Sequence, residues 1–267
     1  MPGFSRILFP VLFAGLSSAP ANATLGAPPI SDQEAWRIGQ LIWRNESGRT
    51  LEGLTCWNEG EEFASLGIAH FIWFPKGYDG PFRESFPLLL DYLESRGVAV
   101  PGWLLVSPDC PWTSRKEFLA ARESPRMREL REFLASTIQW QARFTADRLR
   151  SAQPKLLATT PRRMRARVRR QFDRLWSQPG GVYALVDYVN FKGEGILPKE
   201  RYGGRGWGLL QVLERMRGAA DGPEALSEFA AAARAVLARR VRCSPPERRE
   251  AHWLKGWCAR IRTYRNA

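Results

Sequence analysis

The sequence predicts a mostly helical fold, α+β in class, with one small β-hairpin. Two observations carry this. Apolar residues recur at helical spacing in most segments from Ser31 to Tyr264, and strict alternation is confined to Phe63–Phe74. Gly- and Pro-rich punctuation separates the segments, as at Gly48, Ser124-Pro125, Thr160-Pro161 and Gly180-Gly181.

Residues 1–23 read as a secretory signal peptide. Arg6 is their one charge, Ile7–Leu16 is apolar, and Ala21-Asn22-Ala23 has the small-x-small form of a cleavage site. The apolar run is too short to span a bilayer, and nothing later is long and apolar enough to do so, so no stable membrane insertion is expected. The expected location is periplasmic or secreted. Residues 24–30 form a flexible lead, and 31–267 form one domain in which 78–180 is a helical region of its own character.

Forty basic residues against 27 acidic ones give a net charge of +13, and loss of Arg6 with the leader lowers it by one. Such an exported protein prefers polyanionic partners. Nucleic acid is not expected, because aromatic-interleaved basic motifs and a recognition-helix pattern are missing. Four cysteines in an oxidising compartment predict two disulfides, with Cys56–Cys110 and Cys243–Cys258 favoured. With no C-x-x-C and only His70 and His252, no metal site is expected, and no cofactor is called for. No P-loop and no G-x-S-x-G elbow is present.

Taken in order, Ser31-Asp32-Gln33-Glu34 is a capping box opening a helix with Ile38, Leu41, Ile42 and Asn45 inward, and Gly48 ends it. Glu46 lies four residues after Ile42 on the same stripe, where partial burial would raise its pKa and keep it protonated as an acid. A glycine-rich acidic loop with Glu59, Glu61 and Glu62 follows. In the alternating stretch Leu66, Ile68, His70 and Ile72 share one face, and small Gly67 and Ala69 would let a ligand approach the backbone. A lone histidine such as His70 is more often structural than catalytic.

Helices are expected around Leu88–Ser95, after the capping box Ser114–Glu117, and after Ser124-Pro125, with Met127, Leu130, Leu134 and Ile138 inward. The helix after Pro161 carries Met164, Val168, Phe172, Leu175 and Trp176 on one stripe. Arg162, Arg163, Arg165, Arg167, Arg169, Arg170 and Arg174 cover its other sides, as a solvated face or a polyanion-docking surface. Val182–Asn190 is a short apolar helix. The loop after it holds Lys192, Glu194 and Tyr202, a cleft lining or a plain surface loop. Trp207–Met216 is a helix offering Gln211 to a ligand, Pro223–Val241 is an Ala-rich helix, and Ser244-Pro245 begins a last helix pair.

These residues resemble the phage-type lysozymes of the lysozyme superfamily. The signature there is a Glu ending the first helix, then a hairpin carrying Asp, Thr and a G-[IY]-G-H turn. Trp57–His70 lies over that hairpin without a gap, its turn reading Gly67-Ile68-Ala69-His70. A second match runs from Ala184-Leu185-Val186 through Gly193-Glu194, Leu209–Met216 and Ser244–Tyr264. Together the matches cover under half of the chain after the leader, and 78–180 lies outside them.

The resemblance implies a two-lobed fold and cleavage of β-1,4 bonds in peptidoglycan. Glu46 falls on the general acid, Glu59 on the catalytic Asp and Ser65 on the water-positioning Thr. Glu61 and Glu62 are alternative second carboxylates, and Gly67, His70, Glu194, Tyr202 and Gln211 are substrate contacts. This chain departs from the pattern with Glu59 for Asp, Ser65 for Thr and Ala69 for the second Gly. Peptidoglycan or another anionic wall polymer is then the partner and the protein a monomer. A lytic transglycosylase, whose chemistry can run with Glu46 alone, and an inactive wall-binding protein are the alternatives.

Overall fold

The computed structural model describes residues 30–80, 82–178 and 180–266. The expected signal peptide and all but Ile30 of the lead lie outside these residues. The chain is mostly helical with a small antiparallel sheet, and no described helix is long and apolar enough to cross a membrane. It divides into two compact units, Ile30–Arg148 and the chain from Leu149 on.

In the first unit, helix α1 (Asp32–Ser47) starts where the sequence places it. Ser31 Oγ accepts from the Glu34 amide at 3.1 Å, and Gly48 closes the last turn in the left-handed region. Strands β1 (Thr55–Cys56), β2 (Ala64–Leu66) and β3 (Phe71–Trp73) form an antiparallel sheet with β2 in the middle. Leu66 pairs with Phe71, so Gly67–His70 is a four-residue turn. The alternating stretch is thus a hairpin, and its single-strand face assignment stops at that turn.

Gly67 has φ +69°, and a Cβ there would collide with the Gln141 side-chain oxygen. That oxygen accepts from the Ile68 amide at 2.9 Å. The space expected for a ligand at residue 67 is therefore filled by Gln141, itself fixed by donating to Leu134 O and Thr137 Oγ1. The outer edge of β3 is closed by side chains. Ile72 N donates to Ser85 Oγ at 2.9 Å and Phe74 N to Glu84 Oε1 at 2.7 Å, so no ladder group is left as an open template.

Helices α2 (Phe86–Ser95), α3 (Gly102–Leu105), α4 (Arg115–Ala120) and α5 (Pro125–Ser136) follow, and α6 (Ile138–Thr159) runs across the boundary between the units. Ser114 and Ser124 cap α4 and α5 as expected. The Glu117 carboxylate, however, accepts from Thr113 N and Oγ1. Met127, Leu130 and Leu134 are buried, and Ile138 is buried as the first residue of α6 after a break at Thr137. A chain of rings from Trp57 through Phe118, Trp112, Trp103 and Trp73 to Phe86, at 4.9–6.4 Å between centroids, ties the sheet to the α2–α4 segment.

The second unit holds α7 (Arg162–Trp176), α8 (Gly181–Lys192), a small hairpin of β4 (Arg201–Tyr202) and β5 (Arg205–Gly206), α9 (Leu209–Arg215), α10 (Pro223–Cys243) and α11 (Leu254–Arg262). Two 3-10 turns, Pro246–Arg248 and Glu250–Trp253, stand where the first of a helix pair was expected. Prolines at 245 and 246 remove the amide donors an α-helix would need there. Arg174 also departs from expectation. It is buried, donating to Gln171 Oε1 at 2.8 Å and Glu228 Oε2 at 2.6 Å, so one arginine of the basic helix joins packed structure.

The predicted disulfides do not form. All four cysteines are thiols. Cys56 Sγ donates to Asn58 Oδ1, and burial pushes the Cys110 thiol up to about 12. Nearness in sequence does not align two Cβ vectors, which a disulfide requires.

Candidate active site

Glu46 owes its position to the last turn of α1. The inward stripe of the amphipathic helix α1 buries Ala35, Ile38 and Ile42 and carries Glu46 inward as well, leaving it 4 % exposed. Its Oε2 lies 3.1 Å from Nε2 of His70, the last residue of the hairpin turn. His70 takes φ +52°, left-handed backbone that few non-glycine residues adopt, and strain of this kind recurs at functional sites. The contact has two proton arrangements. A protonated Glu46 donates to a neutral ring, or a protonated Nε2 donates to the carboxylate.

The acidic loop sorts its three glutamates. Glu59 is exposed beside Gly60, a left-handed turn residue, and Glu62 is exposed as well. Glu61 is turned inward. Asn58 Nδ2 donates to its Oε2 at 2.9 Å, and Trp57 Nε1 donates to its carbonyl at 2.6 Å. Burial raises the Glu61 carboxyl above its usual 4.5, against the opposing pull of the Asn58 amide and of the nearby His70. His70 therefore touches one acid and lies within electrostatic reach of a second.

The sign of the Glu61 shift gives a pH prediction. A raised folded pKa means the fold favours the neutral acid, so this contribution is full below 4.5 and is lost as pH rises through the folded value. Glu61→Gln has no charge to desolvate. Its thermal midpoint should exceed the wild type's at neutral pH, and the difference should close in acid. A difference independent of pH in paired melts would contradict this.

Ser65 is buried in the central strand, paired with Cys56 and Ile72. Gly67 belongs to the turn that aims His70. Sequence reasoning missed Gln141, which pins that turn from 73 residues away, and Arg131, which donates to Thr55 Oγ1 at 2.9 Å under β1. Glutamine at a helical core position and arginine on a buried stripe were the available signals.

The remaining expected contacts are in the second unit. Glu194 is buried. Gln211 joins Gly208 N and Gly195 O, both at 3.1 Å, so its amide closes the loop before α9. Tyr202 donates to Glu250 Oε1 at 2.8 Å. Glu250 also receives a two-pronged contact from Arg240, at 2.7 Å for each prong, and a third donor in Arg248. Burial pushes the Glu250 carboxyl up, but these donors outweigh it and hold it below 4.5. Gln211 and Tyr202 are thus engaged within their own unit.

No protein family matches the chain, and neither a curated protein nor a solved structure does.

Proposed function

We propose that the protein is a peptidoglycan-cleaving glycoside hydrolase acting on β-1,4 bonds outside the cytoplasm, with Glu46 as general acid. The observation that carries this reading is a buried carboxyl at the end of α1 in hydrogen-bond contact with the histidine of the hairpin turn. The likeness of residues 46–70 to phage-type lysozymes and the leader-like first 23 residues support it.

In this mechanism Glu46 gives its proton to the glycosidic oxygen as the bond to the anomeric carbon breaks. A water adds to that carbon and gives up a proton to the second carboxylate. Glu61 is the favoured second carboxylate, because it lies within electrostatic reach of His70 while Glu59 is exposed on the loop. With its proton on Nε2, His70 orients the Glu46 carboxyl and donates to the carboxylate left when the acid has given its proton.

One observation favours a second reading. Glu59, the counterpart of the second carboxylate in the lysozyme likeness, is exposed on the loop, which suits a lytic transglycosylase using Glu46 first as acid and then as base. Mass spectrometry of digested peptidoglycan separates the two. Hydrolysis yields reducing-end muropeptides. Anhydro-muropeptides would move the assignment to the transglycosylase, and undigested sacculi would overturn both.

A further inference from the structure

The second unit holds a groove that the proposed chemistry does not use. It has a volume of about 470 Å³ and is lined by Arg150, Gln153, Pro154, Leu157 and Ala158 of α6 and by Arg165, Arg169 and Asp173 of α7. Its lining combines three arginines and one aspartate with the apolar Pro154, Leu157 and Ala158.

Two of the arginines are held in place. Asp173 Oδ1 accepts from Arg150 Nη1 at 2.8 Å and from Gln153 Nε2 at 2.9 Å. The Arg150 guanidinium also lies over the Phe172 and Trp176 rings, at 5.7 and 5.3 Å. Arg165 donates through Nε to Thr160 O, just past α6, and through Nη2 to Ala158 O in its last turn. A guanidinium fixed through two of its donors keeps others for a ligand and loses little entropy on binding. Arg169 is exposed one turn further along α7, about 5–6 Å on, and Arg162 extends the row from the helix start.

We propose that this groove binds a linear phosphodiester-linked sugar or polyol chain. Regularly spaced guanidinium forks match a repeating phosphate better than a single anion, and Arg favours the planar two-pronged contact that phosphate oxygens accept. The apolar lining residues Pro154, Leu157 and Ala158 fit the carbon face of a polyol or sugar. Nucleic acid fits less well, because no aromatic side chain is among the lining residues to stack a base. The site tethers the protein to an anionic wall polymer independently of cleavage at Glu46.

The test titrates the full chain with a fluorescent poly(glycerol phosphate) oligomer at physiological salt. Beside the wild type stand Arg169→Glu, Arg150→Gln and the exposed control Arg242→Glu, which removes the same charge as Arg169→Glu from the end of α10. Arg169→Glu should weaken binding at least tenfold and Arg150→Gln severalfold, with Arg242→Glu close to wild type. Because Arg169 is exposed, its variant should fold, and circular dichroism checks this. No wild-type binding, equal loss in the Arg242→Glu control, or tighter binding of single-stranded DNA that Arg169→Glu abolishes would each overturn the proposal.

Discussion

Glu46→Gln is expected to lower activity on purified peptidoglycan by at least the roughly 10²–10⁴-fold typical of a positioned general acid. The substitution keeps the shape of the side chain and its capacity to bond His70, and removes only the transferable proton. Glu46 is 4 % exposed and packed behind the apolar stripe of α1, so solvent cannot easily supply that proton in its place. Stability should change little, since an amide can meet the His70 Nε2 now 3.1 Å from Oε2. Activity lost together with a large fall in the thermal midpoint would instead mark Glu46 as a structural residue.

The second large effect is on stability. Asp187 lies on α8 with none of its side chain exposed. It accepts from Arg260 Nε at 2.9 Å, Arg260 Nη2 at 2.8 Å and the Tyr264 hydroxyl at 2.7 Å. The hydroxyl sits in a ring cluster of Tyr183, Phe229 and Tyr264, and burial drives its pKa well above 10.0. Asp187→Ala would leave a guanidinium and a phenol without their acceptor in the core. Breaking a buried pair from one side costs about 3–5 kcal/mol. For a chain of this size that is a fall of roughly 10 °C in thermal midpoint. Tyr264→Phe removes one neutral donor and should cost about 1 kcal/mol. Urea unfolding measures both, and a loss under about 1 kcal/mol for Asp187→Ala would contradict the burial of this network.

What was legible in the sequence is what local physics decides. Ser31 and Gly48 mark the ends of α1 because caps act within one turn, and helical spacing places Glu46 inward without knowledge of its neighbours. The hairpin followed from alternation, and the place of its turn at Gly67–His70 from the resemblance to the phage-type lysozymes. What depends on distant partners was not legible. Gln141 fills the space beside Gly67 from another helix, and Ser85 and Glu84 cover an edge that alternation alone leaves open. The choice among Glu59, Glu61 and Glu62 depends on Asn58 and Trp57 folding back onto the loop, a geometry that counting residues cannot give. The disulfides failed for the same reason. Likewise Arg174 read as one arginine of a basic face and Asp187 drew no notice within an apolar helix, and only contacts 54 and 73 residues away bury them in ion pairs.

The central claim is that Glu46 is the proton donor for cleavage of a wall glycan. Release of soluble muropeptides from purified peptidoglycan, by wild type and Glu46→Gln side by side, measures it most directly. Steady release by the wild type is expected, with a loss of two orders of magnitude or more in the variant. Equal release by both proteins would contradict it.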